Sequence, residues 1–226
     1  QDFSWTTAIN YSQNKNKIVK LHPDTQEIGQ GGAEGIQVKL VEGGSISDIY
    51  AFKFQRDDQD RILLDEISGR PLKTAERELI GNAEPDFIWG WNNNFVYKDF
   101  SLNLQINGKF GGFVASQTEA LLDGYGVSER SAVARDRGYE NINAVKGTTA
   151  VSQIDPFDYY DTIGGRNGID EPHIYDRTSI RLSQLALSYA IDVSSKEWIN
   201  SASISLIGNN LFYFMKEAPF DPEITQ

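Results

Sequence analysis

The chain has 226 residues, enough for one large domain or two small ones, and its 32 acidic against 21 basic residues leave a net charge of -11. That balance argues against a nucleic-acid partner, which needs Lys and Arg clustered on one face. With no cysteine there is no disulfide framework, thiol nucleophile or thiolate metal site, and two histidines leave little for acid–base or zinc chemistry. No apolar run approaches the length of a transmembrane helix, and mean hydropathy is -0.43. Aromatic residues make up 12% and there are 20 glycines, a composition that suits strands and turns.

The first element is a strand. Phe3, Trp5, Thr7, Ile9 and Tyr11 fall on one face, and Ser4, Thr6, Ala8, Asn10 and Ser12 on the other. A Lys- and Asn-rich piece and a Gly-rich turn follow, then a short strand over 36–41. Residues 46–56 read as another strand, with Tyr50, Phe52 and Phe54 on one side. The acidic stretch RDDQDRILLDE holds Asp57, Asp58, Asp60, Asp65 and Glu66, without the central Gly and spacing of a calcium loop, and reads as solvated.

In the next strand Phe87, Trp89, Trp91, Phe95 and Tyr97 share a face that the polar Asn93 interrupts. Lys98-Asp99 is a two-residue turn into the return strand, where Phe100, Leu102, Leu104 and Ile106 alternate with Ser101, Asn103, Gln105 and Asn107. A connection over about 114–174 follows, helix-like in composition from Gln117 to Arg135, so one loop carries a short helix. In 177–190 the apolar parity switches between Leu182 and Leu185, which predicts a one-residue bulge near Ser183-Gln184. A last strand covers 201–213.

Six strands with alternating short and long connections result. Alternation alone leaves two architectures open, a soluble sandwich and a membrane barrel. Aromatics near strand ends, strands of about ten residues and long rows of Asn, Gln, Ser and Thr favour the barrel. The fold expected is all-β: part of a large antiparallel transmembrane β-barrel with long extracellular loops.

The residues also carry a resemblance. GNAEPDFIWGWNNNFVYKDFSLNLQINGKFGG resembles the C-terminal barrel region of the SusC/RagA family of TonB-dependent outer-membrane transporters. FSWTTAINYSQNKNKIVKL, YDRTSIRLSQLALSYAI and GNNLFYFMKEAPFDPEIT match further family segments in order. The resemblance implies that residues 1–226 are the C-terminal portion of a barrel domain, a fragment lacking the plug and the final strand. It also implies import of glycans or peptides across the bacterial outer membrane, with outer-membrane lipid around the wall. The partners implied are a SusD-like surface lipoprotein and TonB, the latter acting through the absent plug region. The alternative is a soluble β-rich carbohydrate-binding module. No catalytic, metal or cofactor site is expected.

For ligand or lid contact the candidates are Phe157, Tyr159, Tyr160, Asp161, Arg166 and Asn167, because aromatic faces stack on sugars while Asp, Asn and Arg bond hydroxyls and peptide groups. The plainer role for this cluster is to fold its own loop. Arg177 and Arg181 share the wet face of their strand, where they either form a cationic rung or pair with neighbouring acids. His22 and His173 lie in loops far apart, each near a proline, and define no catalytic set.

Overall fold

The computed structural model describes residues 3–30, 36–193 and 199–223. Strand β1 (Phe3–Ser12) comes first. A first insertion carries β2 (Glu27–Gly29), β3 (Ile36–Val41), β4 (Asp48–Ala51), β5 (Ile62–Leu64) and β6 (Glu78–Asn82). Then β7 (Phe87–Tyr97) turns into β8 (Phe100–Phe110). A second insertion holds β9 (Phe113–Ala115), α1 (Gln117–Gly124), α2 (Glu129–Arg137), β10 (Glu140–Lys146), β11 (Thr149–Ile154), α3 (Pro156–Ile163) and β12 (Ile174–Asp176). Strands β13 (Ser179–Ile191) and β14 (Ala202–Lys216) complete the order.

The chain divides into two units: the long strands, and the two insertions together. In the first, β1, β7, β8, β13 and β14 form one antiparallel sheet in that spatial order. The sheet therefore has five strands rather than the six expected. Residues 46–56 do not belong to it, because β1 pairs directly with β7 and everything between them is a single insertion. The alternation of tight and long connections survives this correction.

Register brings the apolar residues together. Phe3, Tyr97, Phe100 and Tyr189 lie side by side across four strands. Below them, Trp5, Phe95, Leu102, Leu187 and Leu206 form a second row, and further rows carry Ile9, Trp91, Ile106, Leu182 and Phe212, and then Tyr11, Trp89, Ile180 and Met215. Trp5 and Phe95 stack at 6.0 Å, Phe87 and Phe110 at 4.8 Å, and Phe100 and Tyr189 meet at 4.7 Å. From the Tyr97 row to the Phe87 row is about 34 Å along the strand, or about 24 Å of depth at a tilt of roughly 45°. That matches an apolar band bounded by two aromatic girdles. Apart from the buried Leu182, these residues have no core of their own: Ile9 is 74% exposed and Leu206 77%.

Asn93 does not break this face, because Trp5 covers it. The Trp5 indole donates to Asn93 Oδ1 at 3.1 Å, and the Trp91 indole donates to Thr7 Oγ1 at 2.9 Å. Asn93 is 1% exposed, its Nδ2 left without a partner. The opposite face is the amide row Asn92, Asn94, Asn103, Gln105 and Asn107. The bulge stands where parity placed it: Leu182 pairs with Ile106 and Gln184 with Gln105, leaving Ser183 as the extra residue.

The second unit differs in kind. Its core is Phe54, Ile62, Leu64, Ala134, Ala144, Ile154, Tyr160, Ile163 and Ile169, all buried. The sequence predicted one short helix in a loop. Three form, each with its own N-cap: Ser116 for α1, Ser128 for α2, and Asp155 followed by Pro156 for α3. The 57–86 stretch, read as an acidic loop, supplies β5, which pairs in parallel with β10. In it Asp57 holds Arg61 at 2.6 Å and Asp65 accepts from the Ser68 backbone at 2.7 Å, so these acids close turns.

Deletions separate a bulge from a regular ladder. Removing Ser183 leaves both faces of β13 in phase. Removing Asn103 turns Leu102 and Phe100 onto the polar face and Ser101 onto the apolar one. Heat-modifiable migration of the protein on gels is expected to show a folded form for the Ser183 deletion and to lose it for the Asn103 deletion.

Candidate functional site

The second insertion builds a cleft of about 290 Å³, lined by Asp123, Gly124, Tyr125, Gly126, Arg135, Pro156, Phe157, Tyr160 and Asp161. One buried carboxylate organises one wall. Asp123, at the end of α1 and 1% exposed, accepts from Ser128 Oγ at 2.6 Å, His173 Nε2 at 2.8 Å and Arg130 Nε at 3.0 Å. A second Arg130 nitrogen, Nη2, completes a bidentate pair. Burial by itself raises the Asp123 pKa, but the bonds from His173, Arg130 and Ser128 outweigh it and hold the group below the usual carboxylate range. This network fixes the turn between α1 and α2, where Gly126 takes φ +66, a conformation that favours glycine. Tyr125, between two glycines, is left 78% exposed at the rim.

The opposite wall is α3. Phe157 is 66% exposed, and the Arg70 guanidinium sits 5.6 Å from its ring centre. Arg70 also pairs with Asp158 at 3.0 Å and Asp161 at 2.6 Å, so it staples the outer face of the helix. The two walls approach closely at their base: a Cβ on Gly124 would lie 2.5 Å from the Gly165 backbone nitrogen.

The six residues singled out from sequence separate into three groups. Phe157, Tyr160 and Asp161 line the cleft. Tyr159 faces the core, stacked 6.4 Å from Phe54, and burial pushes its hydroxyl pKa up to about 12. Tyr160 has both roles: its ring is buried and its hydroxyl donates to Glu140 at 2.9 Å, with burial first and that carboxylate second raising its pKa. Arg166 and Asn167 lie on the exposed turn after α3, outside the cleft, where the Asn167 carbonyl accepts from Lys73 at 3.1 Å. Sequence reading missed Tyr125, Arg135 and Arg70. Tyr125 carried a signal, an aromatic framed by two glycines in a connection. His173, read as an isolated loop histidine, is buried in the Asp123 network.

A second, half-buried carboxylate ties the two insertions together. Asp170 Oδ2 accepts from the Phe52 N–H at 3.0 Å, and Glu171 accepts from the Phe54 N–H at 2.9 Å. Three residues on, the His173 carbonyl accepts from the Ser116 N–H at 2.9 Å, so this segment joins the 52–54 stretch to the start of α1. Burial raises the Asp170 pKa to about 6, against the lowering effects of the Phe52 N–H, Arg77, His173 and Lys73. Among the described residues no cluster of His, Asp and Glu is arranged to hold a metal ion.

With the two faces of the sheet and the cleft defined, comparison with known proteins is informative. No family model matches the chain. It is 27% identical over 248 residues to the TonB-dependent receptor P3 of Formosa agariphila, covering 99% of this chain and 23% of that protein. Identity to the TonB-dependent receptor P39 of the same organism is 23% over 279 residues, covering 98% and 26%. Over nearly its whole length the chain is similar to TonB-dependent receptors. Its fold agrees: a structure of the RagAB peptide transporter superposes with a TM-score of 0.65 at 17% identity, covering 99% of this chain and 25% of that one. The 'open-open' state of the RagAB peptide importer gives 0.64 at 16% identity, covering 99% and 24%. The chain spans about a quarter of the length of these relatives.

Asp170 sets a pH dependence with a defined sign. Its folded pKa lies above the unfolded value of 3.8, so its contribution to stability is full below about pH 4 and is lost as pH rises through about 6. Asp170→Asn removes the half-buried charge and keeps an acceptor for Phe52. Hydrogen exchange of residues 50–56 in the full-length receptor is expected to slow in the variant at pH 7.5 and to match the wild type near pH 4.

Proposed function

We propose that this segment is part of the barrel wall of a TonB-dependent importer, and that its insertions project on the extracellular side and contact the cargo. The observation that carries the reading is the pairing of faces on one sheet: aromatic and aliphatic rows on one side, and the amides Asn92, Asn94, Asn103, Gln105 and Asn107 on the other. A sheet of this kind has lipid against the first and water against the second. The tight Lys98-Asp99 turn then faces the periplasm, and both insertions emerge at the opposite end.

The cargo is a glycan or a peptide. The RagAB structures are described as a peptide importer and transporter, and the cleft chemistry serves either class. Tyr125 and Phe157 offer aromatic faces, and Arg135 and Asp161 offer a donor and an acceptor. Such groups stack on sugar rings or side chains and bond hydroxyls or peptide groups. A SusD-like surface lipoprotein is the proposed partner at this end. Energy coupling through TonB is assigned to a plug region outside these residues. The alternative, a soluble carbohydrate-binding module, requires a second layer over Phe100, Leu102, Leu104 and Ile106, and Phe100 is 51% exposed.

Uptake by cells expressing the full-length receptor tests the cleft, with labelled oligosaccharides and oligopeptides as probes. The double variant Tyr125→Ala, Phe157→Ala is expected to weaken apparent affinity for the imported class about 30-fold, from roughly 1 kcal/mol per aromatic face. Receptor abundance should stay unchanged. Wild-type uptake of every probe would remove the cleft from the cargo path.

A further inference from the structure

The APFDPE motif after β14 has so far no role, yet several of its polar groups touch the polar face of the sheet. Asp221 Oδ1 accepts from the Tyr213 hydroxyl at 2.5 Å and from the Glu223 backbone at 2.9 Å. The Pro222 carbonyl accepts from Arg177 Nε at 3.2 Å. Glu223 lies between two cations, with Arg181 at 2.6 Å and Lys109 at 3.2 Å. Ahead of the motif, the Glu217 N–H donates to the Thr178 carbonyl at 3.1 Å, and Lys216 donates to the Pro219 carbonyl at 2.9 Å. Ala218 and Pro222 are buried.

These contacts fold residues 217–223 back across β14, β13 and β8. Through Glu223 the segment borders a cavity of about 270 Å³ whose lining mixes the amides Asn10, Asn92, Gln105 and Asn107 and the charged Lys109 and Arg181 with Tyr11, Ile88 and Trp89. The ion triad is half-shielded, with Arg181 and Glu223 side chains 19% and 18% exposed. A pair in that setting is screened less than one on the surface, and its charge-assisted bonds are correspondingly stronger.

We propose that residues 217–223 form an ionic latch. Glu223, shared by Arg181 and Lys109, holds the strap on the polar wall and closes one side of this mixed amide and aromatic cavity. Breaking that shared carboxylate frees the strap and opens the cavity to solutes that bond amides, such as sugar hydroxyls or peptide groups. The placement of this cavity in a lumen rests on the barrel reading above, but the strap's attachment to the sheet does not.

The test uses the full-length receptor in nanodiscs, otherwise free of cysteine, with a nitroxide on Pro219→Cys. A second series carries Asn107→Cys for reaction with a membrane-impermeant maleimide. Glu223→Gln keeps the shape and removes the charge. It is expected to turn an immobilised nitroxide spectrum into a mobile one. It should also speed maleimide reaction at position 107 roughly tenfold, the factor that losing about 1.4 kcal/mol of charge-assisted bonding supplies. An immobile nitroxide in Glu223→Gln would overturn the latch, since backbone contacts would then suffice. A mobile strap with unchanged reaction at position 107 would overturn its role as a closure. The nitroxide reports the strap directly, so its answer is independent of where lipid lies.

Discussion

Everything in the sheet depends on one constraint, the phase of alternation across five strands. Side chains on a strand change face at every residue, so neighbours share an apolar side only if each pairing register is correct. Here Phe3, Tyr97, Phe100 and Tyr189 meet in one row, and the rows below them follow in step. Where β13 carries one residue too many, Ser183 is set aside in a bulge and the phase resumes. Without that bulge Leu185, Leu187 and Tyr189 would stand among the amides.

The same constraint explains why the sheet lacks a core while the insertions have one. The long strands expose their apolar side chains and stack them sideways, ring against ring, as a wall bordering lipid requires. The insertions bury Phe54, Leu64, Tyr160 and Ile163 against one another, as a water-exposed domain must. Polar groups follow suit. On the wall they are amides in rows, with Thr7 and Asn93 on the apolar side bonded by indoles. In the insertions, Asp123 gathers three donor side chains in the interior. That network sets the turn bearing Tyr125, and through it one wall of the cleft.

How much of this was legible in the sequence follows from the range of each interaction. Strands β1, β7, β8, β13 and β14 were visible because period-two patterning is local. The Ser183 bulge was visible because a parity switch is local too. Residues 46–56 were misassigned to the wall for the same reason: Tyr50, Phe52 and Phe54 alternate like a wall strand, and only the direct pairing of β1 with β7 excludes them. Within the insertions the short strand over 36–41 and the helical composition of 117–135 were visible, but the rest was read as loop because its strands are three to seven residues long and their order comes from contacts across the chain. Asp123 and His173 are 50 positions apart. Of the six candidate residues, Phe157, Tyr160 and Asp161 reach the cleft. Tyr159 was drawn into the core because residues on one helix share a composition but not a direction.

The central claim is that one face of this sheet meets lipid and the other water. Single cysteines at Leu102, Asn103, Leu104 and Gln105, in the full-length receptor in lipid nanodiscs, test it with a membrane-impermeant thiol reagent and with a lipid-soluble one. The account predicts alternation: positions 103 and 105 react with the impermeant reagent, and 102 and 104 only with the lipid-soluble one. Equal reaction of all four with the impermeant reagent, or protection of all four from both, would contradict it.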